Sequence, residues 1–189
     1  MPTPSPDEER RRFNQWSETY ERSFMQWLIF DRVHRRVLLS LPPGFTPGAI
    51  LDIGCGTGRL LRRMHACWPS AKLVGIDQAE GMVAKARQLT PEASFYQAPA
   101  EHIPLEDASL DLVTTTMSFH HWSLQEQGVR EAFRVLRAAG CFILADTNIG
   151  HGSPLSKTQV RRIFQSIGIS LYSQKSLVPF LSITVGKKP

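Results

Sequence analysis

The chain has 189 residues, of which 42% are hydrophobic and 21% are charged. These proportions are typical of a globular protein with a sizeable core, and this length favours one domain. The formal net charge is +5, but the basic residues are scattered along the chain and form no stripe interleaved with aromatic residues. The charge pattern therefore disfavours nucleic acid as a partner.

The cysteines and the N-terminal residues bear on the cellular compartment. The chain has three cysteines, Cys55, Cys67 and Cys141. Because their number is odd and they form no CxxC pair, neither a disulfide framework nor a zinc site is expected. The segment MPTPSPDEERRR lacks the apolar core of a signal peptide, and FMQWLIF is too short to span a bilayer. These features predict a protein of the reducing cytoplasm, without a membrane span and without a bound metal.

The N-terminal region is predicted to be mostly helical. Residues 1–6 alternate with proline and are expected to form a disordered tail. From Asp7 onward, apolar residues recur every three or four positions and form one helical stripe: Phe13, Trp16, Tyr20, Phe24 and Leu28. Proline and glycine in LPPG, residues 41–44, end this region. We expect a helical cap over residues 7–47 and a core over 48–189, within a single domain overall.

From residue 48 onward, short apolar strands alternate with helices. The predicted strands are AILDIG (49–54), KLVGID (72–77), ASFYQA (93–98), LDLVTTT (110–116), CFILAD (141–146), ISLYS (169–173) and LSITV (181–185). Such alternation indicates a parallel sheet with helices on both faces. The segment between the last two strands is too short for a crossover helix, so these strands should be antiparallel neighbours.

Two local signals predict where the later helices begin. Residues 123–126 read S-x-x-E, which is the pattern of a capping box, and an apolar face that includes Leu136 follows. Ser153 and Pro154 predict an N-cap followed by proline at the first helical position. Gly168 is expected to end this last helix.

The segment ILDIGCGTGRL, residues 50–60, places glycines at 54, 56 and 58 between the first strand and the first core helix. Open α/β sheets bind ligands at such a turn, and glycine lets the backbone approach a ligand closely. A dinucleotide fingerprint requires a third glycine where this chain has Arg59, and the lysine of a phosphate-binding loop is missing. A pyrophosphate cradle is therefore disfavoured.

Two carboxylates flank this loop and suggest what it binds. The carboxylate of Asp52 suits a cationic ligand group such as an ammonium or sulfonium. The alternative is a structural role, in which Asp52 caps the following helix or binds backbone amides of the loop. Asp77 ends the second strand, where an acid can accept hydrogen bonds from both hydroxyls of a ribose. A loop that avoids phosphate, favours a cation and holds a ribose describes a site for S-adenosylmethionine.

At this point the sequence resembles a known family. The segments ILDIGCGTGRLL, LVGIDQAEGMVAKAR, AEHIPLEDASLDLVTTTMSFHHW and REAFRVLRAAGCFILAD are similar, in order and spacing, to four motifs of class I S-adenosylmethionine-dependent methyltransferases. The resemblance covers roughly residues 48–186 and is to the type 11, quinone-biosynthesis-like group. The N-terminal segment FNQWSETYERS also resembles the helix that covers the cofactor in members of this group. It implies a Rossmann-like α/β fold: a seven-stranded, mostly parallel sheet with an antiparallel last strand, helices on both faces and an N-terminal helical cap.

The resemblance also implies a set of cofactor-binding residues: Tyr20, Asp52, Gly54, Cys55, Gly56, Gly58, Asp77, Gln78, Met82, Ala100, Glu101, Thr116 and Met117. In this scheme Asp77 takes the ribose hydroxyls, while Gln78 and Met82 flank the adenine. The backbone at residues 116–117 receives the ammonium group, and Tyr20 closes over the methionine end of the cofactor.

Two places depart from the family pattern. The turn before the fifth strand reads Ala138-Ala139-Gly140 where the family has Pro-Gly-Gly, which should affect only the stability of the turn. Family members carry an acidic residue that holds the adenine amino group where this chain has Pro99. Either Glu101 replaces that contact, or the contact is lost at a cost of roughly 1–3 kcal/mol in affinity.

His120 and His121 follow the fourth strand on the ligand side of the sheet. Histidine exchanges a proton near neutral pH, so either residue is a candidate general base. The alternative is that both serve packing and loop shape.

These features together predict methyl transfer from S-adenosylmethionine to a small-molecule acceptor, through an O, N or C nucleophile. The segment TMSFHHW replaces the Asn/Asp-Pro-Pro-aromatic motif of nucleic-acid adenine methyltransferases, which disfavours that activity. One alternative is an inactive cofactor-binding module, and another is a nicotinamide oxidoreductase, which Asp52 and Arg59 disfavour. The short segment TNIGHGSP encodes little lid, which leaves open either an apolar substrate in an open groove or a homodimer that completes the pocket.

Overall fold

The computed structural model describes residues 6–16, 24–147, 156–178 and 180–189. The helices are α1 (Pro6–Trp16), α2 (Phe24–Leu39), α3 (Arg59–Cys67), α4 (Glu80–Leu89), α5 (Gln125–Val135) and α6 (Lys157–Ile167). The strands are β1 (Ala49–Ile53), β2 (Lys72–Asp77), β3 (Ala93–Gln97), β4 (Leu110–Thr116), β5 (Leu136–Thr147), β6 (Ser170–Val178) and β7 (Leu181–Lys187). Within these ranges, no helix combines the length and the apolar character that crossing a membrane requires.

The strands form one sheet with the order β3-β2-β1-β4-β5-β7-β6. Strands β1 to β5 pair in parallel, whereas β7 runs antiparallel to both β5 and β6. The predicted Rossmann-like fold, a seven-stranded, mostly parallel sheet closed by an antiparallel strand pair, is therefore confirmed.

The order of the strands places a cleft at one edge of the sheet. The chain runs outward through β2 and β3 on one side of β1, and then returns to pair β4 on the other side. The carboxyl ends of β1 and β4 lie together, because Ile53 is paired with Thr115. In open α/β sheets, ligands bind at the point where the strand order reverses.

Two apolar layers cover the sheet. On one face, Val129 of α5 and Phe164 of α6 pack with strand residues such as Val113. On the other face, α2, α3 and α4 pack with strand residues such as Ile50 and Leu112. Because the central strands are buried on both faces, their sequences are apolar without alternation, as expected of parallel sheets.

Strand β5 begins earlier than the sequence predicts. Leu136, which was expected on the face of α5, already pairs with Leu110, and the register then shifts before Cys141 pairs with Leu112. The residues between these pairs bond to the end of the chain, because the Lys188 N–H donates to the Gly140 carbonyl at 3.0 Å. This distant partner extends the strand through a stretch with little local strand signal.

The predicted helix starts are wrong in detail. Helix α5 has no side-chain cap, and the Leu124 N–H donates instead to Glu101 Oε1 at 2.8 Å. Helix α6 begins at Lys157, with Ser156 as N-cap and Gln159 completing a capping box. The Ser153–Pro154 pair lies outside the described residues. Gly168 ends α6 in the left-handed conformation, as predicted.

Candidate functional site

A cavity of about 290 Å³ opens at the carboxyl ends of β1, β2 and β4. Most of the residues predicted for the site line it: Gly54, Gly56, Asp77, Gln78, Met82, Ala100, Glu101, Thr116, Met117, His120 and His121. Pro99 also lies in the wall, next to Ala98 and Ala100. Residues from four separate segments of the sequence thus meet around one space, which we call the main cavity.

The other predicted residues lie elsewhere. Asp52 and Cys55 line a second cavity of about 30 Å³, the small cavity. It shares Phe30, Gly54, Gly56 and Thr116 with the main one. Gly58 lines neither of these two cavities. A β-carbon there would stand 3.0 Å from Thr90 Oγ1, so this glycine permits close packing of the loop. Tyr20 lies outside the described residues.

The glycine loop adopts a backbone that few other residues tolerate. Gly54, Gly56 and Gly58 have φ values of +68°, +53° and +78°. The loop is held to β2, because the N–H groups of Gly54 and Cys55 donate to the Ile76 carbonyl at 2.8 and 3.0 Å. A β-carbon on Gly56 would meet no atom within 4 Å, so its open side leaves room for a ligand against the backbone.

Asp77 is fixed at the wall of the main cavity by backbone donors. Its Oδ2 accepts a hydrogen bond from the Gly56 N–H and its Oδ1 one from the Ala79 N–H, both at 2.9 Å. Burial raises the pKa of Asp77, although these two hydrogen bonds oppose the rise. A carboxylate can accept about four hydrogen bonds, so both oxygens keep capacity for hydroxyl groups of a ligand.

Asp52 lies deeper, beneath the loop. It is 3% exposed, and Thr114 Oγ1 donates to its Oδ1 at 2.8 Å. Burial raises the pKa of Asp52 to about 7, while the hydrogen bond from Thr114 opposes the rise and the charge of Asp77 adds to it. A cation bound beside Asp52 would favour the ionised carboxylate.

The small cavity is polar, and part of its lining lacks partners. Among the described residues, His34 Nδ1 and Thr116 Oγ1 are buried without a hydrogen bond. Burial, with the charges of Arg59 and Arg62, lowers the pKa of His34 to about 3, so its ring is neutral. Buried polar atoms without partners are rare in folded proteins, so these two point to a polar ligand or water in this space. Asp52 and Arg59 line the same space and provide opposite charges.

The outer part of the main cavity is aromatic. Phe13 and Trp16 of α1, Phe30 of α2 and Trp122 line it, and Arg12 adds a positive charge. The Phe13 and His121 rings meet edge to face, with centroids 5.2 Å apart. These walls suit a planar or apolar molecule better than a strongly hydrated one.

His120 is held by an acidic residue that the sequence analysis missed. Its Nδ1 lies 2.7 Å from Asp146 Oδ1, with side-chain exposures of 10% for His120 and 5% for Asp146. Asp146 also accepts hydrogen bonds from the backbone N–H of His120 at 2.9 Å and of Thr147 at 2.6 Å. In the sequence, Asp146 follows the apolar run CFILA, just as Asp77 follows KLVGI. An acid at the end of an apolar strand was the signal that identified Asp77, and the same signal could have identified Asp146.

Strand β4 ends in a strained turn beside both cavities. Met117 has φ +53° without being glycine, and its N–H donates to the Ala145 carbonyl at 2.8 Å. Strain of this kind persists only where the surrounding structure enforces it, and it is common at ligand sites. Among the described residues, no group of three or more His, Cys, Asp or Glu side chains is arranged to bind a metal ion.

Comparison with known proteins agrees with this geometry. The model of the methyltransferase domain family matches residues 51–144. The malonyl-[acyl-carrier protein] O-methyltransferase of Geobacter sulfurreducens is 40% identical over 121 residues, which are 62% of this chain and 45% of that protein. The demethylmenaquinone methyltransferase of Chlorobaculum tepidum is 33% identical over 108 residues, or 57% and 44% of the two chains. The chain thus spans less than half the length of either relative.

The fold is shared with solved methyltransferases. An S-adenosylmethionine-dependent methyltransferase from Aquifex aeolicus superimposes with a TM-score of 0.71 at 21% identity, over 81% of this chain and 88% of the other. The match to the domain model covers the glycine loop, Asp77 and the end of β4, which line the inner part of the main cavity. Residues 51–144 of the chain are a methyltransferase domain, and the fold is that of S-adenosylmethionine-dependent methyltransferases.

Proposed function

We propose that this protein transfers a methyl group from S-adenosylmethionine to a small-molecule acceptor. The observation that carries the proposal is the position of Asp77, a carboxylate fixed by the Gly56 and Ala79 N–H groups on the wall of the main cavity. When bound, S-adenosylmethionine supplies an electrophilic methyl group on a sulfonium sulfur.

The main cavity holds the nucleoside end of the cofactor in this proposal. Asp77 accepts the ribose hydroxyls, and Gly56 leaves the backbone open beside them. Gln78 and Met82 flank the adenine ring, and residues 98–101 line its edge. Pro99 offers no side-chain acceptor to the adenine amino group, so Glu101 is the acid available to it. Glu101 already accepts a hydrogen bond from the Leu124 N–H.

The small cavity holds the methionine end. Asp52 and the backbone at residues 116–117 attract the ammonium group, and Arg59 attracts the carboxylate. The unpartnered atoms His34 Nδ1 and Thr116 Oγ1 support this assignment, because a zwitterionic group would supply them with hydrogen bonds. Cys55 lines the same space as a neutral thiol, because burial raises its pKa well above the usual range.

The protein contributes to transfer chiefly by holding its two ligands in line. Such positioning can lower the barrier by about 7–11 kcal/mol, and excluding water from a closed site strengthens the electrostatic interactions within it. We propose that residues 7–47 form a cap that supplies the aromatic wall, through Phe13, Trp16 and Phe30, over a core of residues 48–189. The resemblance to the family also gives Tyr20, which lies outside the described residues, a role in closing this cap.

The aromatic wall favours a planar or apolar acceptor. The relatives are named for a malonyl group on acyl carrier protein and for demethylmenaquinone. A homodimer that completes the cap also remains a proposal. We propose that the protein acts in the reducing cytoplasm, because Cys55, Cys67 and Cys141 are all free thiols.

Calorimetric titration with S-adenosylhomocysteine tests the proposed function. The wild type is expected to bind it and to ignore NADH, whereas Asp77→Ala should weaken binding by about 10- to 100-fold, as expected for lost hydrogen bonds to a carboxylate. Asp111→Asn is the matched control, because Asp111 also accepts two backbone N–H groups, from Gly48 and Ala49, at the opposite edge of the sheet. Equal binding by the wild type and Asp77→Ala would refute the ribose assignment, and binding of NADH alone would refute the proposal.

A further inference from the structure

We infer that His120 is the general base of the reaction, that Asp146 is its positioning residue, and that the acceptor carries a phenol-like hydroxyl group. This inference rests on the proposed methyl transfer and adds to it the chemical class of the acceptor and a residue for proton transfer.

The hydrogen bond to Asp146 determines which nitrogen of His120 can act. A carboxylate only accepts hydrogen bonds, so a neutral imidazole bound to it at 2.7 Å carries its proton on Nδ1. The lone pair is then on Nε2, on the other side of a ring that lines the main cavity. Asp146 is itself fixed by the backbone N–H groups of His120 and Thr147, so the imidazole has a defined orientation. This is how an acid–histidine pair prepares a base.

His120 fits this role better than His121. The His121 ring contacts Phe13 edge to face, and it tilts against the His120 ring with centroids 4.0 Å apart. These contacts suit a side chain that joins the cap to the core. The other charged groups that line the main cavity are Arg12 from α1, Asp77 at the end of β2, and Glu101.

A histidine base is useful only to an acceptor that keeps its proton. A carboxylate is already ionised at neutral pH, and an arylamine, which is unprotonated at that pH, attacks through its lone pair and loses its proton afterwards. A phenolic hydroxyl, with a pKa near 10 like that of tyrosine, needs its proton removed as it attacks. The aromatic walls formed by Phe13, Trp16, Phe30 and Trp122 suit the ring that carries such a hydroxyl.

In the proposed step, the hydroxyl proton moves to His120 Nε2 while an oxygen lone pair forms the new bond to the methyl carbon. The carbon–sulfur bond breaks, and its electron pair stays on sulfur. The charge of the resulting imidazolium lies beside Asp146, and the proton then leaves to water. A neutral ether and S-adenosylhomocysteine are the products, so charge and atoms balance.

The test uses two acceptors with the same methyl-substituted ring and different acceptor groups, 4-methylphenol and 4-methylbenzoate, with the wild type, His120→Asn and Asp146→Asn. Asparagine at 120 keeps a donor for Asp146 but removes Nε2. The wild type is expected to methylate the phenol in preference to the benzoate. Each variant should lower kcat for the phenol by about 100-fold or more, the usual contribution of a general base. Binding of S-adenosylhomocysteine should be unchanged in both variants, as it should in the structural control Asp111→Asn.

A second measurement does not depend on turnover. In ¹⁵N NMR spectra, neutral His120 of the wild type should show the proton on Nδ1, and Asp146→Asn should reduce this tautomer. A proton on Nε2 in the wild type would overturn the inference, as would unchanged phenol transfer by His120→Asn or faster transfer to the benzoate. Binding of S-adenosylhomocysteine without any transfer to the phenol would also overturn it. Failure of the wild type to bind S-adenosylhomocysteine would instead refute the proposed function.

Discussion

Gly54 lies directly against Ser118: a β-carbon on Gly54 would stand 1.8 Å from the Ser118 hydroxyl oxygen and 2.4 Å from its β-carbon. The contact joins the loop after β1 to the loop after β4, which are the two sides of the cleft. Real β-carbons do not approach other atoms so closely. The absence of a side chain at Gly54 therefore lets the two loops meet beneath the main cavity.

The two loop glycines should differ in their contribution to stability. Gly54→Ala adds a steric clash of about 1–3 kcal/mol to the roughly 1–2 kcal/mol that alanine loses in the left-handed region. Gly56→Ala incurs only the backbone term, because nothing lies within 4 Å of its β-carbon. Urea unfolding should therefore show a larger loss of stability for Gly54→Ala. Gly56→Ala should still weaken binding of S-adenosylhomocysteine, because its methyl group projects into the ligand space.

The double variant Gly54→Ala/Ser118→Gly separates the two causes. Removing the Ser118 side chain should recover the steric part of the loss and leave the backbone part. If the double variant is no more stable than Gly54→Ala, the contact with Ser118 does not explain why glycine is required at this position.

Asp52→Asn should make the ligand-free protein more stable above pH 7. The pKa of Asp52 is raised from 3.8 to about 7 in the folded state, so between these values the folded state holds a proton that the unfolded state has lost. Stability therefore falls as pH rises from about 4 to about 7 and stays low above that range. Asparagine avoids this penalty, up to about 4 kcal/mol, and still accepts from Thr114.

The measurement is urea unfolding of the wild type and Asp52→Asn at pH 5 and pH 8, with the difference expected to grow between these values. The same variant should bind S-adenosylhomocysteine more weakly, because it lacks the charge that attracts the ammonium group. A stability difference that is constant with pH would show that Asp52 does not titrate in this range.

Local patterns in the sequence predict the strands, the glycine loop and Asp77. The central strands are buried on both faces and therefore read as short apolar runs, and the loop requires glycine at residues with positive φ. These causes act within a few residues, so the sequence alone reveals them.

Other features depend on contacts between distant residues. Residues 123–126 match a capping box, but Glu101, which is 23 residues from Leu124, supplies the acceptor instead. Asp146 meets His120 only because β4 and β5 pair side by side. His34 and Arg59 lie on different helices and meet in the small cavity. No periodicity within one segment contains such information.

The pair formed by Glu131 and Arg134 should stabilise the protein above about pH 4.5 and lose its effect in acid. Hydrogen bonds from Arg134 and from the Ile103 N–H lower the pKa of Glu131 below its usual value. An acid with a lowered pKa contributes stability above its unfolded pKa, and the contribution is lost as pH falls through the folded value. Glu131→Gln should therefore cost about 1–2 kcal/mol at pH 7, and this cost should shrink as the pH falls through the folded pKa of Glu131.

Glu126→Gln on the same helix is the control. Glu126 and Arg130 form an exposed i,i+4 pair at 2.6 Å, with side-chain exposures of 55% and 50%. Such pairs contribute about 0.3–0.5 kcal/mol, and salt screens them. Equal losses for the two glutamine variants would mean that the hydrogen bond from the Ile103 N–H to Glu131 adds nothing to the pair.

Lys188, near the end of the chain, should stabilise the C-terminus of α5. Its Nζ donates to the carbonyls of Phe133 and Leu136 at 2.8 and 2.7 Å and lies 4.4 Å above the Phe133 ring. The last carbonyls of a helix lack partners within the helix and carry partial negative charge. A lysine ammonium group there donates hydrogen bonds to these carbonyls and balances their charge. Lys188→Met keeps most of the apolar stem and removes the charge, and should cost about 1–2 kcal/mol.

Lys187→Met provides the comparison for this prediction, because the Lys187 Nζ lies 5.1 Å above the Tyr172 ring at the edge of the sheet. An exposed cation–π contact contributes about 0.5–1 kcal/mol, so this variant should lose less stability in urea unfolding. Lys188→Met should lower the unfolding midpoint and leave binding of S-adenosylhomocysteine intact, because Lys188 does not line the main cavity. Equal losses in the two variants would indicate that the hydrogen bonds to the α5 carbonyls contribute nothing beyond an exposed cation at the surface.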